Sequence, residues 1–304
     1  EKEIQYVQPE DVVVIVTENG NIKKIPTKSF KVQNKNGKGV KNQDDITSYI
    51  VSTNTIDTIM FFTSFGKMYR LVVDQIPVGS NASRGVPISS LVKLEGNEKV
   101  IAVTSLYRTT DAKYAVFITS NGIIKKTKIE EYMNTKKSGI IGLKLKDGDS
   151  VAAITFLNDE QIVLISKLGM SIRFNTHTIG PVGRASIGVI GIKLNEEDKV
   201  VAALPVHRES DDVAVFTQYG LGKKSKISDY PLQTRGGKGT ITYKPTDSTG
   251  VLVAAALIED KDRLLITGDK SSICVKATDV PLLAKNAVGN IIIKDNNILS
   301  IAKI

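Results

Sequence analysis

The chain has 304 residues, 41% hydrophobic and 24% charged, which reads as soluble and globular with room for a sizeable core. Its 41 Lys and Arg against 32 Asp and Glu leave a net charge of +9, which points to a polyanionic partner. The lone Cys274 excludes an intramolecular disulfide and a multi-cysteine zinc site and reads as a small core hydrophobe, while no apolar run reaches the roughly 18 residues of a membrane span.

The opening Glu1-Lys2-Glu3-Ile4 has neither an initiator Met nor a signal-peptide apolar region, so a fragment of a longer cytoplasmic protein is expected. In chain order, one pattern then recurs six times: an apolar strand, a small polar turn usually ending in Gly, and a second strand. The segments are VVVIVTENGNIKKI, IMFFTSFGKMYRL, AVFITSNGIIKKT, VLISKLGMSIRF, VAVFTQYGLGKKS and LLITGDKSSICVK. The turn positions are Gly20, Gly66, Gly122, Gly169, Gly220 and, in the sixth copy, Lys270. Asn19-Gly20 and Asn121-Gly122 are strong hairpin dipeptides, because both residue types tolerate positive φ.

A second glycine keeps register with the first. Gly39, Gly85, Gly188, Gly239 and Gly289 each lie 19 residues beyond their turn position, and Gly139 lies 17 beyond Gly122. A short apolar strand such as VIAVTSL, VAAITFL, VVAALPV or VLVAAALI closes each unit. Units of about 50 residues with about four short strands cannot cover both faces of their own sheets, so they must pack on one another. Radially arranged blades solve that problem and leave few exposed edges. The prediction is an all-β fold of six blades in one domain over 1–304, with blades near 9–55, 56–107, 108–157, 158–206, 207–258 and 259–304, closed or nearly closed into a disc. The absence of Trp argues against WD40 blades, and no double-glycine kelch pattern recurs.

Positive charge follows the repeat. Four residues after each turn position stand Lys24, Arg70, Lys126, Arg173 and Lys224, with Cys274 in the sixth copy, and Lys23, Lys125 and Lys223 precede three of them. These residues are expected on a basic rim, with the alternative that they blunt exposed strand edges. Before the second glycine come Lys35, Arg184, Arg235 and Lys285, and immediately before it Lys38, Arg84 and Lys238. The richest loop is Gln233-Thr234-Arg235-Gly236-Gly237-Lys238-Gly239. Glycines there let the backbone approach a phosphate and form an anion-binding nest, while Arg and Lys bring charge and Gln can donate to phosphate or sugar oxygens.

That loop resembles the gyrase A-box: Gln, two basic residues, Gly-Gly, a basic residue, Gly. Gln233, Arg235, Gly236, Gly237, Lys238 and Gly239 match, and Thr234 replaces one basic residue. A weaker copy has Gln33, Lys35, Gly37, Lys38 and Gly39 in place, with Asn34 and Asn36 departing. With EDVVVIVTENGNIKKIP, FFTSFGKMYRL, SRGVPI and IGVIGIKL, the resemblance to the C-terminal domain of type IIA topoisomerase A subunits covers residues 9–304.

The resemblance implies a six-bladed β-pinwheel whose blades exchange strands, with duplex DNA bent around a basic perimeter largely independently of sequence. It implies a non-catalytic domain of the gyrase A subunit that wraps DNA in support of ATP-dependent negative supercoiling. The topoisomerase IV A subunit, whose disc bends DNA for decatenation and relaxation, is the alternative, because here the first-blade box is degraded and the fuller copy lies in the fifth blade. The implied partners are the N-terminal region of the same polypeptide and the B subunit in an A2B2 enzyme, with ATP and Mg used elsewhere. No cofactor, metal or membrane is expected for this domain, which is read as monomeric in isolation and nucleoid-associated.

Two other classes fit less well. A protein-interaction propeller would show Trp, Tyr and Arg hot spots on one face, and this chain has no Trp. An enzyme would need a constellation that is missing: His177 and His207 stand apart without ligand patterns, and Gly220-Leu221-Gly222-Lys223-Lys224-Ser225 has the wrong spacing for a phosphate-binding P-loop. The pairs Glu130-Glu131, Glu196-Glu197 and Asp211-Asp212 read as solvated loops.

Overall fold

The structure is a computed structural model, and it describes residues 6–30, 40–41, 47–106, 111–133 and 139–303. These residues form six four-stranded antiparallel sheets, and among them there is no α-helix, only short 3-10 turns. Blade 1 runs in order through Thr47–Asn54, Asp11–Thr17, Asn21–Pro26 and Val86–Pro87. Blade 2 holds Val100–Ser105, Thr58–Thr63, Lys67–Val72 and Ile140–Ile141. Blade 3 holds Val151–Leu157, Tyr114–Thr119, Ile123–Lys128 and Val189–Ile190; blade 4 holds Val200–Val206, Gln161–Ser166, Met170–Asn175 and Thr240–Ile241. Blade 5 holds Leu252–Ile258, Asp212–Thr217, Leu221–Lys226 and Asn290–Ile291. Blade 6 holds Ile298–Lys303, Arg263–Gly268, Ser271–Lys276 and Val40–Lys41.

Every blade therefore has one plan. Its two central strands are the hairpin of one repeat, and the closing strand of that repeat pairs on one side. The two-residue strand on the other side comes from the next repeat, and in blade 6 from the first. Blades are thus not contiguous in sequence, and each contiguous span lends its short strand to a neighbour. The hairpin glycines have φ between +71° at Gly66 and +94° at Gly220, a region that residues with a Cβ rarely occupy.

The described residues divide into two compact units, one with blades 1 and 2 and the other with blades 3 to 6. In the first, Val12, Val14, Val16, Phe61, Tyr69 and Leu71 share one core. In the second, Ile162-Val163-Leu164-Ile165 shows why the central strands are apolar throughout. Ile162 and Leu164 join Val116 and Ile118 of blade 3, while Val163 and Ile165 join Val213 and Val215 of blade 5. Side chains alternate across a strand, so a sheet covered on both faces needs a continuous apolar run rather than alternation.

Candidate nucleic-acid interface

The cations four residues after the hairpin turns lie in mid-strand. Lys24 pairs with Val14, Lys126 with Val116, Arg173 with Val163 and Lys224 with Ala214 across their hairpins. The following repeat runs alongside: Lys24 N–H donates to the Pro77 carbonyl and Lys224 N–H to that of Pro281, while the Lys126 and Arg173 carbonyls accept from Val182 and Gln233 N–H. All four side chains are buried. Lys24 Nζ donates to the carbonyl of Val73 at 3.3 Å, Lys126 Nζ to Thr176 at 3.2 Å, Arg173 Nη1 to Ile227 at 3.1 Å and Lys224 Nζ to Ala277 at 3.2 Å. Each acceptor is the first residue of the 3-10 turn in the next repeat. Arg70, half-buried, donates to the Met133 carbonyl, just past the turn Ile129–Tyr132.

Each of these four also meets an exposed carboxylate: Lys24 with Asp74 at 3.7 Å, Lys126 with Asp159 at 3.2 Å, Arg173 with Glu209 at 2.5 Å and Lys224 with Asp260 at 3.2 Å. The expected basic rim at these positions is therefore corrected. Lys24, Lys126, Arg173 and Lys224 are buried against acceptors of the next repeat, Arg173 also donating from Nε to Gln161 of its own hairpin at 2.8 Å, and as placed they turn no charge to solvent. Cys274 takes the same place in blade 6, buried and free.

The preceding lysines are also turned inward. Lys23 Nζ donates to the carbonyls of Ser80 at 2.9 Å and Ser83 at 2.6 Å, inside the loop before Gly85. Lys125 Nζ donates to the Arg184 carbonyl at 2.6 Å and lies 4.9 Å from the centre of the Phe117 ring. Lys223 Nζ donates to the carbonyls of Ala284, at 3.2 Å, and Lys285. Burial pushes the Lys125 amine down to about 7, with Glu131 opposing and Arg184 adding to the fall. Burial, then the nearby Lys285, lowers Lys223 to about 8. The lysines of repeats 1, 3 and 5 thus plug the glycine loops of repeats 2, 4 and 6.

The loop of repeat 5 has Ile172 beneath it instead. A Cβ on Gly239, at φ +76°, would lie 2.1 Å from the Ser171 carbonyl oxygen, so only glycine fits. Gly236, at φ +83°, donates to the Gly191 carbonyl at 2.6 Å. Arg235 is half-buried, its Nη1 donating to the Ile190 carbonyl at 3.1 Å, and Lys238 is exposed. Gln233 Oε1 is buried without a hydrogen-bond partner. Thus Gln233, Arg235, Gly236, Gly237, Lys238 and Gly239 are brought together as one loop.

Arg84 is exposed and Arg184 half-buried, with Arg184 N–H donating to Glu131 at 2.8 Å. Lys285 donates to Thr240 Oγ1 at 2.6 Å and sits 4.7 Å from the Tyr230 ring, its amine lowered by burial. The first-repeat loop with Gln33, Lys35, Gly37, Lys38 and Gly39 lies outside the described residues.

Sequence reading missed one row of cations. In five repeats a lysine follows a buried apolar residue beyond the second glycine: Val92-Lys93, Leu143-Lys144, Ile192-Lys193, Tyr243-Lys244 and Ile293-Lys294. All five lysines are exposed. Four of them stand five residues past the second glycine, a register visible in the sequence once looked for. The pair Asp211-Asp212 is expected from sequence in a solvated loop. Instead Asp211 is buried, 3.2 Å from Arg208 Nε, and Asp212 opens a central strand with its carboxyl raised by burial. His177 and His207 are exposed, and among the described residues no three His, Cys, Asp or Glu side chains converge as a metal site requires.

Comparison with known proteins follows the same repeats. The family model for the DNA gyrase C-terminal domain, beta-propeller, matches residues 11–47, 57–106, 113–158, 160–207 and 211–259, leaving the divergent sixth repeat unmatched. The chain is 36% identical to the DNA gyrase A subunit of Clostridium acetobutylicum over 98% of its length, and it spans 37% of that relative. A solved DNA gyrase A C-terminal domain superposes with a TM-score of 0.82 at 26% identity, over 97% of this chain and 99% of the other. A topoisomerase IV C-terminal domain shares the fold, with a TM-score of 0.79 at 23% identity over 98% and 94%. Six hairpin blades with exchanged outer strands, and a glycine loop of A-box pattern among them, place this chain in the DNA gyrase C-terminal domain, beta-propeller family.

Proposed function

We propose that this chain binds duplex DNA through its glycine loops, and bends and wraps it in support of negative supercoiling by a gyrase whose catalytic regions lie elsewhere. The single observation that carries the reading is the loop Gln233–Gly239. Gly236 and Gly239 have positive φ, and Arg235 and Lys238 present charge at the surface. Such a loop fits phosphate oxygens and reads no base. Bending 20–30 base pairs by 40–90° costs on the order of 1–6 kcal/mol, so many weak phosphate contacts from successive repeats suit the task better than one anchor. Affinity should then fall steeply with salt, because each neutralised phosphate releases counterions, and sequence preference should follow deformability, as in histone wrapping.

In this reading the chain carries out no covalent step. It works with the N-terminal region of the same polypeptide and with the B subunit of an A2B2 enzyme, which uses ATP and Mg, in the cytoplasm at the nucleoid. The second reading is topoisomerase IV, favoured by the one specific departure, a fuller box in repeat 5 than in repeat 1.

A topological assay separates them. The chain is bound to nicked circular DNA, the nick is ligated, the protein is stripped and the linking difference counted. A large, salt-sensitive positive shift, lost on mutation of the Gln233–Gly239 loop, is expected for gyrase. Binding with little shift would assign the topoisomerase IV role, and no binding at low salt would overturn the DNA reading.

A further inference from the structure

We propose that Lys144, Lys193 and Lys244 are a second set of phosphate contacts, each set beside the glycine loop of the following repeat, with Lys93 and Lys294 in the equivalent place of their own repeats. This rests on the DNA-binding reading and adds to the loops a set of residues outside the A-box.

The geometry starts from the residue before each lysine. Val92, Leu143, Ile192, Tyr243 and Ile293 are buried. None of the five pairs lies in a strand, and in each the residue before the lysine packs inward while the lysine itself is exposed. The backbone then fixes where they stand. Lys144 N–H donates to the Ser186 carbonyl at 3.2 Å and Lys193 N–H to the Gly237 carbonyl at 2.9 Å, both within glycine loops of the next repeat. Tyr243, beside Lys244, donates its hydroxyl to the Val288 carbonyl at 2.6 Å, in the loop that holds Lys285. Lys144 thus accompanies Arg184, Lys193 accompanies Arg235 and Lys238, and Lys244 accompanies Lys285.

The charge of this row is unspent. None of the five ammonium groups has a hydrogen-bond or ion-pair partner among the described residues, in contrast to the hairpin cations, which are buried against carbonyls and carboxylates. Acidic residues follow close in sequence, such as Glu196 and Glu197 after Lys193 and Asp247 after Lys244, yet no ion pair joins them to the row. A cation held at the surface, without an internal partner, beside the glycine loop of the next repeat is the arrangement that a phosphate chain can neutralise.

The test is the salt dependence of binding to a duplex by the full 304-residue chain, wild type against Lys144→Gln with Lys193→Gln and Lys244→Gln. Because log K falls with log salt by about 0.9 per phosphate neutralised, the triple variant should lose nearly three from the slope with an unchanged melting temperature. Lys261→Gln, an exposed lysine paired with Glu259, should leave the slope as it is. A triple variant with the wild-type slope would overturn the proposal while leaving DNA binding in place. An equal fall with Lys261→Gln would overturn it too, reducing the effect to net charge. Wild type that fails to bind at low salt would remove the DNA reading itself.

Discussion

The Lys224 ammonium lies 3.2 Å from the carbonyl oxygen of Ala277, at the head of the 3-10 turn of the next repeat. Lys24, Lys126 and Arg173 repeat that relationship with Val73, Thr176 and Ile227. A charge pattern that reads from sequence as a binding surface is thereby a set of ties between successive repeats.

Lys224→Ala is expected to lower stability by about 1–3 kcal/mol, because it strands a buried acceptor and opens a cavity. Lys224→Met keeps most of the packing and should lose less. Urea unfolding with a constant m-value checks this, and a neutral Lys224→Ala would show that the tie contributes nothing.

For Lys125, burial lowers the amine from 10.5 to about 7, against Glu131 and with Arg184. Between those values the unfolded chain holds a proton that the folded chain has released, so stability rises with pH across that window. Below about 7 both states are protonated, and the cost of burying the charge is present in full. Relative to Lys125→Met, the wild-type melting temperature should therefore climb as pH is raised from about 7 toward 10; a flat difference would show that the amine titrates normally.

Gly239→Ala forces a Cβ to within 2.1 Å of the Ser171 oxygen at a φ of +76°. The strain is expected to cost about 1–3 kcal/mol and to displace the Gln233–Gly239 loop. DNA affinity should then fall beyond what the stability loss explains at a temperature where the variant is fully folded.

Arg235→Ala with Lys238→Ala removes two surface charges of that loop. Lower affinity is expected, with a salt slope shallower by about two and an unchanged melt. Unchanged binding would take the loop out of the interface.

The repeat was legible because each of its signals answers a local need. Gly20, Gly66, Gly122, Gly169 and Gly220 are required by the φ of a tight hairpin turn, and the unbroken apolar run Ile162–Ile165 by burial on both faces. The second glycine was legible too, although its cause at Gly239 is a backbone carbonyl 68 residues earlier, at Ser171.

The roles of the cations were not legible in the same way. Lys193 and Lys224 are the same residue type in equally regular positions, yet one is exposed and the other buried. Sequence by itself determined the blade count, the hairpins, the positions of the basic residues and the A-box likeness, since these depend on neighbours within one repeat. Only the tertiary structure decided which charges face solvent, because that depends on whether the next repeat brings a carbonyl to the ammonium or leaves it to water.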